Sequence, residues 1–552
     1  MKNILCALLL GTVLLAVSCK TKTPDQTKYI PKDAVFVFDL NWKGLSDKAS
    51  KARINWDSLV RANASEPGDD SSIAKVKTEF ESFIHSGIDT TSNVFFFVKT
   101  GGSIMSGQST SMGVVAALRD PAAFESYVKK HDNTPQIQKG NNFSYASLKN
   151  DLFVGWNDDV VILSGSQTQH FKFDTSNSMN SAPGGSTGSA EQTLNALFNQ
   201  KEEESIASIP EFRDLTNEKA DMLFWSNSGS MFNSVPMLGV TKFADLFKGS
   251  YAAGTINFED GKAVANFKSY SGKELADMMK KYPGHEVDMS FVNKYPYPVS
   301  GFAAFSFNPQ LLLEIIKYSG VESMANQYLE KEGLTLNDVI KVFKGDVVVV
   351  FSDITTGVGS KPSAKLIFNA TIGDKAAYDK IVSVLVKEGL MEMKDGQYVP
   401  VPMGMGDKFA WSMDGKNLTI ATDNDLLQQY LTGKGNAAVP SNIASEAKGK
   451  SAVVYVDINK IIQTVSVNPT DESANAAKST FKNAIGTSDK FNGKYVESDF
   501  ELNTVNQNEN SLASLIKFFA SVSGKIAEEG KKLKKGEMMN MDSSMAPALN
   551  SQ

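Results

Sequence analysis

Short blocks of similar sequence occur in the same order in the first and second halves of this 552-residue chain. Residues 113–124 read as a strand followed by an Asp, two Ala and an aromatic residue. Residues 367–378 repeat that pattern 254 positions later. In both copies the Asp, Asp120 or Asp374, is placed to cap the N-terminus of a helix. A fold built twice in one chain would require each half to form the same elements in the same order.

Other pairs of blocks keep this order. They are residues 35–40 and 303–307, 94–98 and 347–351, 153–156 and 408–411, 160–164 and 418–422, 221–227 and 451–457, and 249–251 and 493–495. Identity between the blocks is low, and any strand-rich chain can be aligned to itself by chance. We interpret the series as two diverged repeats, residues 30–282 and 295–523, that meet at a joint rich in Pro.

Within each copy, strand and helix patterns interleave. Runs of β-branched and aromatic residues predict strands, and a period of 3.6 residues predicts helices over residues 71–84, 309–318 and 376–386. Asp-Gly pairs at 260–261 and 414–415 predict hairpins, so the sheets should be largely antiparallel. The predicted fold class is α+β, with two tandem diverged repeats, each a mostly antiparallel or mixed β-sheet with packed helices.

Two polar segments are expected to lie outside this core. Residues 174–190 are rich in Ser, Gly and Asn and are predicted to form a flexible insertion in the first repeat. Residues 524–552 are predicted to form a polar tail. Trp156 and Trp411 fall at matching positions of the two copies, and we expect both to pack in the core.

The N-terminal segment has the pattern of a bacterial secretory signal, in which Lys2 is followed by an apolar run and then by small residues before Cys19. The segment resembles a lipoprotein signal, so residues 1–18 are interpreted as a signal peptide and Cys19 as the lipid-bearing residue. The alternative is ordinary cleavage that leaves a free Cys19. Residues 19–29 would then be the lipidated Cys and a short polar tether, and several acyl chains would hold the protein at a membrane.

Cys6 and Cys19 are the two Cys of the chain, so the part that follows Cys19 contains no thiol. Disulfides, Cys-ligated metals and Cys nucleophiles are therefore excluded from it. The four His form no His-Glu-x-x-His motif. A Gly-x-Ser-x-Gly pattern at 184–188 lies in linker-like sequence and lacks the flanking strand and helix of a nucleophile elbow. We identify no catalytic residue, no metal ligand and no cofactor from these patterns.

The start of the predicted first repeat resembles an uncharacterised tandem-repeat lipoprotein family of Bacteroidetes-type bacteria, a domain of unknown function. The likeness rests on Ile30-Pro31-Lys32-Asp33-Ala34, on the strand that follows, and on a helix that carries Lys48. It extends over most of the chain after the signal. It implies a location in the cell envelope and no established activity.

These observations favour a lipid-anchored cell-envelope protein with a non-enzymatic binding or scaffolding role. The expected partners are the membrane, through lipid on Cys19, and an envelope protein or glycan, whereas a net charge of −6 argues against nucleic acid. A basic tether favours the outer membrane with the protein facing the periplasm. Two alternatives stay open: an envelope hydrolase acting on glycans or peptides, and a periplasmic carrier or chaperone with an apolar pocket near Trp411 or between the halves.

Overall fold

A computed structural model of the chain describes residues 23–52, 78, 81–103, 107–131, 136–148, 152–173, 179–184, 190–233, 242–355, 363–394, 397–401, 409–465 and 472–522. Cys19, the predicted signal and the predicted tail lie outside the described residues, as does most of the predicted helix 71–84. The chain divides into two compact units. The first unit comprises Met1–Asn41 and Gly87–Ser226, and the second comprises Trp42–Ser86 and Asn227–Gln552.

The described elements alternate between strands and helices along the chain. The strands are β1 (Phe36–Leu40), β2 (Val94–Ser103), β3 (Gly107–Ala117), β4 (Gln138–Lys139), β5 (Ser144–Ser147), β6 (Leu152–Trp156), β7 (Val160–Phe173), β8 (Met179–Gly184), β9 (Met222–Asn227), β10 (Tyr251–Glu259), β11 (Lys262–Tyr270), β12 (Gly301–Ser306), β13 (Phe343–Thr355), β14 (Ser363–Ile372), β15 (Met391–Lys394), β16 (Gln397–Pro400), β17 (Ala410–Met413), β18 (Asn417–Ala421), β19 (Ala452–Val456), β20 (Phe481–Ser488) and β21 (Tyr495–Thr504).

The helices are mostly short and lie between the strands. They are α1 (Trp42–Lys51), α2 (Pro121–His131), α3 (Ala190–Phe198), α4 (Pro210–Thr216), α5 (Ser228–Asn233), α6 (Lys242–Leu246), α7 (Lys273–Lys281), α8 (Ser290–Asn293), α9 (Pro309–Ser319), α10 (Glu322–Leu329), α11 (Leu336–Lys341), α12 (Lys375–Lys387), α13 (Asn424–Leu431), α14 (Ser441–Glu446), α15 (Ile458–Val465) and α16 (Glu472–Thr480). Turns of 3-10 helix lie at Asp25–Tyr29, Glu202–Glu204, Ile206–Ser208 and Glu330–Glu332.

The first unit contains an antiparallel sheet with the strand order β9-β1-β2-β3-β7-β6-β5-β4. The far half of β7 pairs with β8, so residues 179–184, expected to lie in a flexible insertion, form a strand instead. One sheet face is buried, with Phe95 and Ile162 fully enclosed and Trp225 packed edge-on against Phe212 of α4. On the other face, Phe124 of α2 packs against Trp156.

The second unit contains an antiparallel sheet with the strand order β10-β11-β21-β20-β19-β12-β13-β14-β18-β17, and β15 and β16 form a separate hairpin. Its main core lies between the sheet and the segment that includes Tyr295, with Phe302, Val350 and Ile367 fully buried. The α+β class and the dominance of antiparallel pairing are thus confirmed.

Several local predictions are confirmed by the hydrogen bonds. Asp120 and Asp374 each accept a hydrogen bond from the backbone N–H three residues later, at 2.9 Å in both helices. The helices predicted at 309–318 and 376–386 are α9 and α12, and both Asp-Gly hairpins form. Asp25–Tyr29, predicted to belong to a polar tether, is instead a 3-10 helix with Thr27 fully buried.

Glycines lie opposite phenylalanines at several places in the sheets, a pairing in which the ring covers the backbone of the residue that has no side chain. The cross-strand pairs are Gly113 with Phe97, Gly254 with Phe267, Gly301 with Phe351, and Gly486 with Phe500. A Cβ on Gly301 would lie 2.4 Å from the Phe351 ring and 2.8 Å from the Tyr455 carbonyl oxygen. A side chain at 301 is therefore incompatible with the present packing.

We expect Gly301→Ala to lower the free energy of unfolding by about 1–3 kcal/mol, because both the ring and the neighbouring strand would have to move. Urea unfolding followed by fluorescence measures this. Gly486→Ala is the matched control, since its Cβ would meet nothing closer than 3.6 Å, on the ring of Phe500. Equal losses in the two variants would contradict the explanation.

Candidate functional site

A row of polar side chains crosses the buried face of the second unit's sheet near one end of its strands. We call Ser306, Asp346, Thr371 and Asn417 the polar row. Ser306 lies directly opposite Asp346, and Thr371 lies opposite Asn417. The Thr371 hydroxyl joins the two pairs by donating to Asp346 Oδ2 at 3.2 Å. Neighbouring strands are about 4.8 Å apart, so these side chains form one continuous strip.

The carboxylate at the centre of the polar row holds a histidine. Asp346 is only 4% exposed, and its Oδ1 lies 2.8 Å from His285 Nε2. The side chain of His285 is 40% exposed, so the imidazole bridges the buried row and the solvent. Lys344 Nζ lies 3.9 Å from the other carboxylate oxygen. Asp346 therefore fixes the orientation of an accessible imidazole ring.

A second polar pair lies on the same face, beside the polar row. Asn369 and Thr419 are opposite each other on β14 and β18, and the Thr419 hydroxyl donates to Asn369 Oδ1 at 3.0 Å. Both residues are almost completely buried. Each lies two residues from a member of the polar row along its strand, which extends the polar strip into the core.

Several buried polar atoms on this face have no hydrogen-bond partner among the described residues. They are Ser306 Oγ, Asn369 Nδ2 and Asn417 Oδ1. A buried polar atom left unpaired costs about 1–3 kcal/mol, so most such atoms in proteins are satisfied by a neighbour, a water or a ligand. Three of them on one strip mark the polar row and the Asn369–Thr419 pair as the candidate site.

The main chain before β12 runs along the edge of this strip. A Cβ on Gly284 would lie 3.6 Å from the Ser306 carbonyl oxygen, and Val287 N donates to the Lys450 carbonyl at 2.9 Å. His285 sits between these two contacts. The segment thus places the imidazole over the strand ends, and the site reaches solvent at that point.

The first unit buries a different polar group on its sheet. Asp39 of β1 is 2% exposed; its Oδ2 accepts a hydrogen bond from Asn93 Nδ2 at 2.9 Å, and Oδ1 has no partner among the described residues. Burial raises the pKa of Asp39 to about 7, and the Asn93 hydrogen bond lowers it only in part. Since Asn93 O in turn accepts from Gln26, this pair connects β1 to the N-terminal 3-10 helix.

The structure places Trp156 and Trp411, the predicted matching pair, in different surroundings. Trp156 lies opposite Val161, whereas Trp411 lies opposite Ile420 and shares its strand with buried Met413. Trp156 is fully buried beneath α2, and Trp411 is half-buried beside Tyr378 and Met413. Both residues pack in cores, as expected, but they are not at matching register positions.

The pair of His285 and Asp346 is not visible in the sequence. No sequence motif connects His285 with Asp346, 61 positions later. The sequence signal for a buried Asp346 is weak: this Asp directly precedes a run of valines that is typical of a buried strand. Among the described residues, no group of three or more His, Cys, Asp or Glu side chains is placed to hold a metal ion. None of the described helices is long and apolar enough to cross a membrane.

The fold defines an α+β protein whose antiparallel sheets carry helices and bury polar side chains near their strand ends. The chain belongs to the family of the domain of unknown function DUF4836, whose model matches residues 26–512. This confirms the expectation of an uncharacterised domain family. Its lipoprotein character and its bacterial group stay predictions.

Other comparisons add little. A search of curated proteins finds no match. Among solved structures, "Structure of crystal form I of TP0453" is similar over 45% of this chain and 79% of that chain, with 8% sequence identity and a TM-score of 0.23. A likeness of that size carries no argument about function.

We expect Asp39→Asn to stabilise the protein by about 4 kcal/mol at pH 8, since each pKa unit corresponds to about 1.4 kcal/mol, and by less than about 1 kcal/mol at pH 4. The folded protein keeps the Asp39 proton up to about pH 7, whereas the reference pKa of the free side chain is 3.8. Between these values the folded state binds more protons, so this group's contribution to stability falls as the pH rises. Urea unfolding at both pH values measures the difference.

Asp158→Asn serves as the control because Asp158 is exposed in the turn between β6 and β7. A gain for Asp39→Asn that is the same at pH 4 and pH 8 would contradict a buried carboxyl with a raised pKa.

Proposed function

We propose that this protein is a lipid-anchored protein of the cell envelope that binds a polar, hydroxyl-rich partner, an envelope glycan, without transforming it. The observation that carries the binding role is the set of three buried polar atoms near Asp346 and His285 that have no hydrogen-bond partner in the part of the chain that the structure describes. Hydroxyl groups of a sugar both donate and accept, so they match an amide N–H, an amide oxygen and a serine hydroxyl on one strip. The exposed imidazole lies at the rim where such a ligand would enter.

The hydrogen bonds of the Asp346 carboxylate favour a binding role over catalysis. Asp346 Oδ1 accepts from His285, and Oδ2 accepts from Thr371, so both oxygens hold protein groups in place. A glycosidase acid or nucleophile instead directs its carboxyl oxygens toward the substrate, and it works with a second carboxylate. Asp346 is therefore better suited to orienting His285 than to attacking a sugar.

The His285–Asp346 pair also gives specific support to a second candidate, an envelope hydrolase. A buried carboxylate that orients an accessible imidazole is the arrangement of a general base. This candidate requires turnover that depends on His285. The carrier alternative gains no such support from Trp411, which packs against the core cluster of Tyr378 and Met413.

We also propose that the chain arose by duplication, as the sequence blocks suggest. The strand order β9-β1-β2-β3-β7-β6 of the first unit matches β19-β12-β13-β14-β18-β17 of the second. In the first set Phe38 lies opposite both Phe96 and Phe224, and in the second Ala303 lies opposite Val349 and Val454. These pairings put Phe96 at the position of Val349 and Phe224 at the position of Val454. The sequence blocks 94–98 with 347–351 and 221–227 with 451–457 give the same correspondence.

The turns between the equivalent strands β6–β7 and β17–β18 have the same side-chain hydrogen bonds. Asn157 Oδ1 accepts from the backbone N–H groups of Asp159 and Val160, at 3.0 and 2.9 Å. Asp414 Oδ1 accepts from Lys416 and Asn417 in the same way, at 2.9 and 2.8 Å. The two turns thus agree with the proposed duplication, and Asn492 bonds the β20–β21 turn in the same way.

The strand register revises some of the block alignments. Val154, not Trp156, occupies the position of Trp411, so the blocks 153–156 and 408–411 are offset by two residues. The same comparison shifts 35–40 against 303–307 by two residues. An offset of two keeps the same sheet face, because side chains alternate along a strand.

The binding proposal is tested with two serines of the second unit that are alike except for position. Ser300 directly precedes β12 and Ser306 is its last residue, about 20 Å away. The Oγ of each is buried without a partner among the described residues. We expect Ser306→Ala to weaken binding of soluble envelope glycan fragments at least tenfold in calorimetric titration. Ser300→Ala should bind normally. Equal affinity in both variants would contradict the site.

The same mixtures are then examined by mass spectrometry. Unchanged glycan fragments support binding alone. Cleaved fragments whose formation is lost in His285→Gln would overturn the non-enzymatic role in favour of the hydrolase.

The anchor is tested separately. We expect the full-length protein, produced in a Gram-negative host with labelled fatty acid, to incorporate label and to fractionate with membranes, and Cys19→Ala to lose both. Label that persists in Cys19→Ala would contradict acylation at this residue.

A further inference from the structure

A lysine lies beside the carboxylate of the polar row. Lys344 is two residues before Asp346 on β13, and its Nζ is 3.9 Å from Asp346 Oδ2. That distance allows charge attraction but is too long for a hydrogen bond. The Lys344 side chain is 64% exposed, so its ammonium group can be reached from solvent. The buried row thus ends at an accessible cation as well as at the accessible imidazole of His285.

The carboxylate of Asp346 makes its hydrogen bonds with other groups. Oδ1 accepts from His285 Nε2 at 2.8 Å, and Oδ2 accepts from the Thr371 hydroxyl at 3.2 Å. Asp346 is the one charged member of the polar row, whose other members are a serine, a threonine and an asparagine. Among the described residues, nothing accepts a hydrogen bond from the Lys344 ammonium, which has three N–H donors.

Four further acidic residues lie close in sequence to members of this site, and all of them have other partners. They are Glu286, Asp288, Asp374 and Asp414. Each of the three aspartates accepts a hydrogen bond from a backbone N–H that follows it, at 2.9 Å. Glu286 Oε1 lies 3.6 Å from Lys490 Nζ. Within the part of the chain that the structure describes, Asp346 is therefore the one carboxylate in contact with Lys344.

The first unit has no such charged pair at the corresponding place. Counted back along the equivalent strands β2 and β13, the positions of Lys344 and Asp346 are taken by Thr91 and Asn93 in the first unit. Both of those side chains are neutral. The sheet that the two units share is thus built without this lysine, and its presence in the second unit calls for a different explanation.

We propose that the glycan bound at the polar row is acidic and that Lys344 pairs with its carboxylate. The proposal rests on the proposed function of this site and adds the class of sugar that it selects. Hydroxyl groups of the sugar pair with the Ser306 hydroxyl and the Asn417 oxygen inside the row, while the carboxylate stays at the rim with the ammonium. A lysine suits this place because it acts as a point charge whose donors can turn toward a carboxylate of any orientation.

The test changes the charge of the ligand and the charge of the protein separately. Soluble envelope glycan fragments are used untreated, after amidation of their carboxylates with carbodiimide and methylamine, or after phosphatase treatment. Each preparation is titrated calorimetrically against the unchanged protein and against Lys344→Gln and Lys344→Arg. Lys434→Gln is the matched control, because Lys434 is an exposed lysine in a loop at the opposite end of β12, where Val299 N donates to the Ala437 carbonyl at 2.9 Å.

We expect amidation to weaken binding to the unchanged protein about fivefold, the effect of one partly exposed charge pair. Lys344→Gln should lose a similar factor with untreated fragments and nothing further on amidation, because both changes remove the same contact. Lys344→Arg should retain the preference for untreated fragments, and Lys434→Gln should bind like the unchanged protein. Circular dichroism of each variant verifies that the fold is retained.

The outcomes that contradict the proposal can be told apart. Equal affinity for untreated and amidated fragments, with binding still weakened by Ser306→Ala, would overturn the acidic ligand and leave the glycan site intact. An affinity that falls after phosphatase treatment but not after amidation would overturn the carboxylate in favour of a phosphate. An amidation effect that persists in Lys344→Gln would overturn the role of this lysine. Absence of binding by every preparation would overturn the proposed function together with this inference.

Discussion

A charged side chain on the buried face of a sheet must be neutralised or paired, and this constraint shapes both units. In the second unit, Asp346 is paired with His285 and Thr371, so its burial brings a solvent-facing imidazole to the strand ends. In the first unit, Asp39 accepts from the Asn93 amide alone among the described residues, and burial raises its pKa to about 7. A buried carboxyl is thus stabilised by several hydrogen-bond partners in the second unit, and by keeping its proton up to about pH 7 in the first.

The difference between the units is informative if they arose by duplication. Conserved features would then be those that build the sheet: the Asp caps of α2 and α12, the side-chain-pinned turns, and the strand order. Features that diverged are chemical. The polar row belongs to the second unit, whereas Asp39, with its raised pKa, belongs to the first.

Much of this architecture could be predicted from the sequence, because it depends on local patterns. Helix α12 follows from the period of Tyr378, Ile381 and Val382, and the β10–β11 hairpin follows from Asp260-Gly261. The candidate site could not be predicted in this way. His285 and Asp346 meet only after β12 and β13 have paired, and the register that aligns Ser306 with Asp346 is a property of the sheet. The 3-10 helix at Asp25–Tyr29 was missed for a similar reason, since its polar residues look like a tether until Thr27 is seen to be buried.

The pairing of β11 with β21 has a consequence for how the chain folds. Lys262 of β11 lies opposite Asn503 of β21, so two neighbouring strands are separated by most of the second half of the chain. Such distant pairing is slow to form, because the ends of a long loop must meet before any contact is gained. During synthesis, β11 keeps one edge open until the ribosome has delivered β21. An open strand edge is a template for aggregation, so the nascent protein is prone to aggregate until β21 has paired with β11.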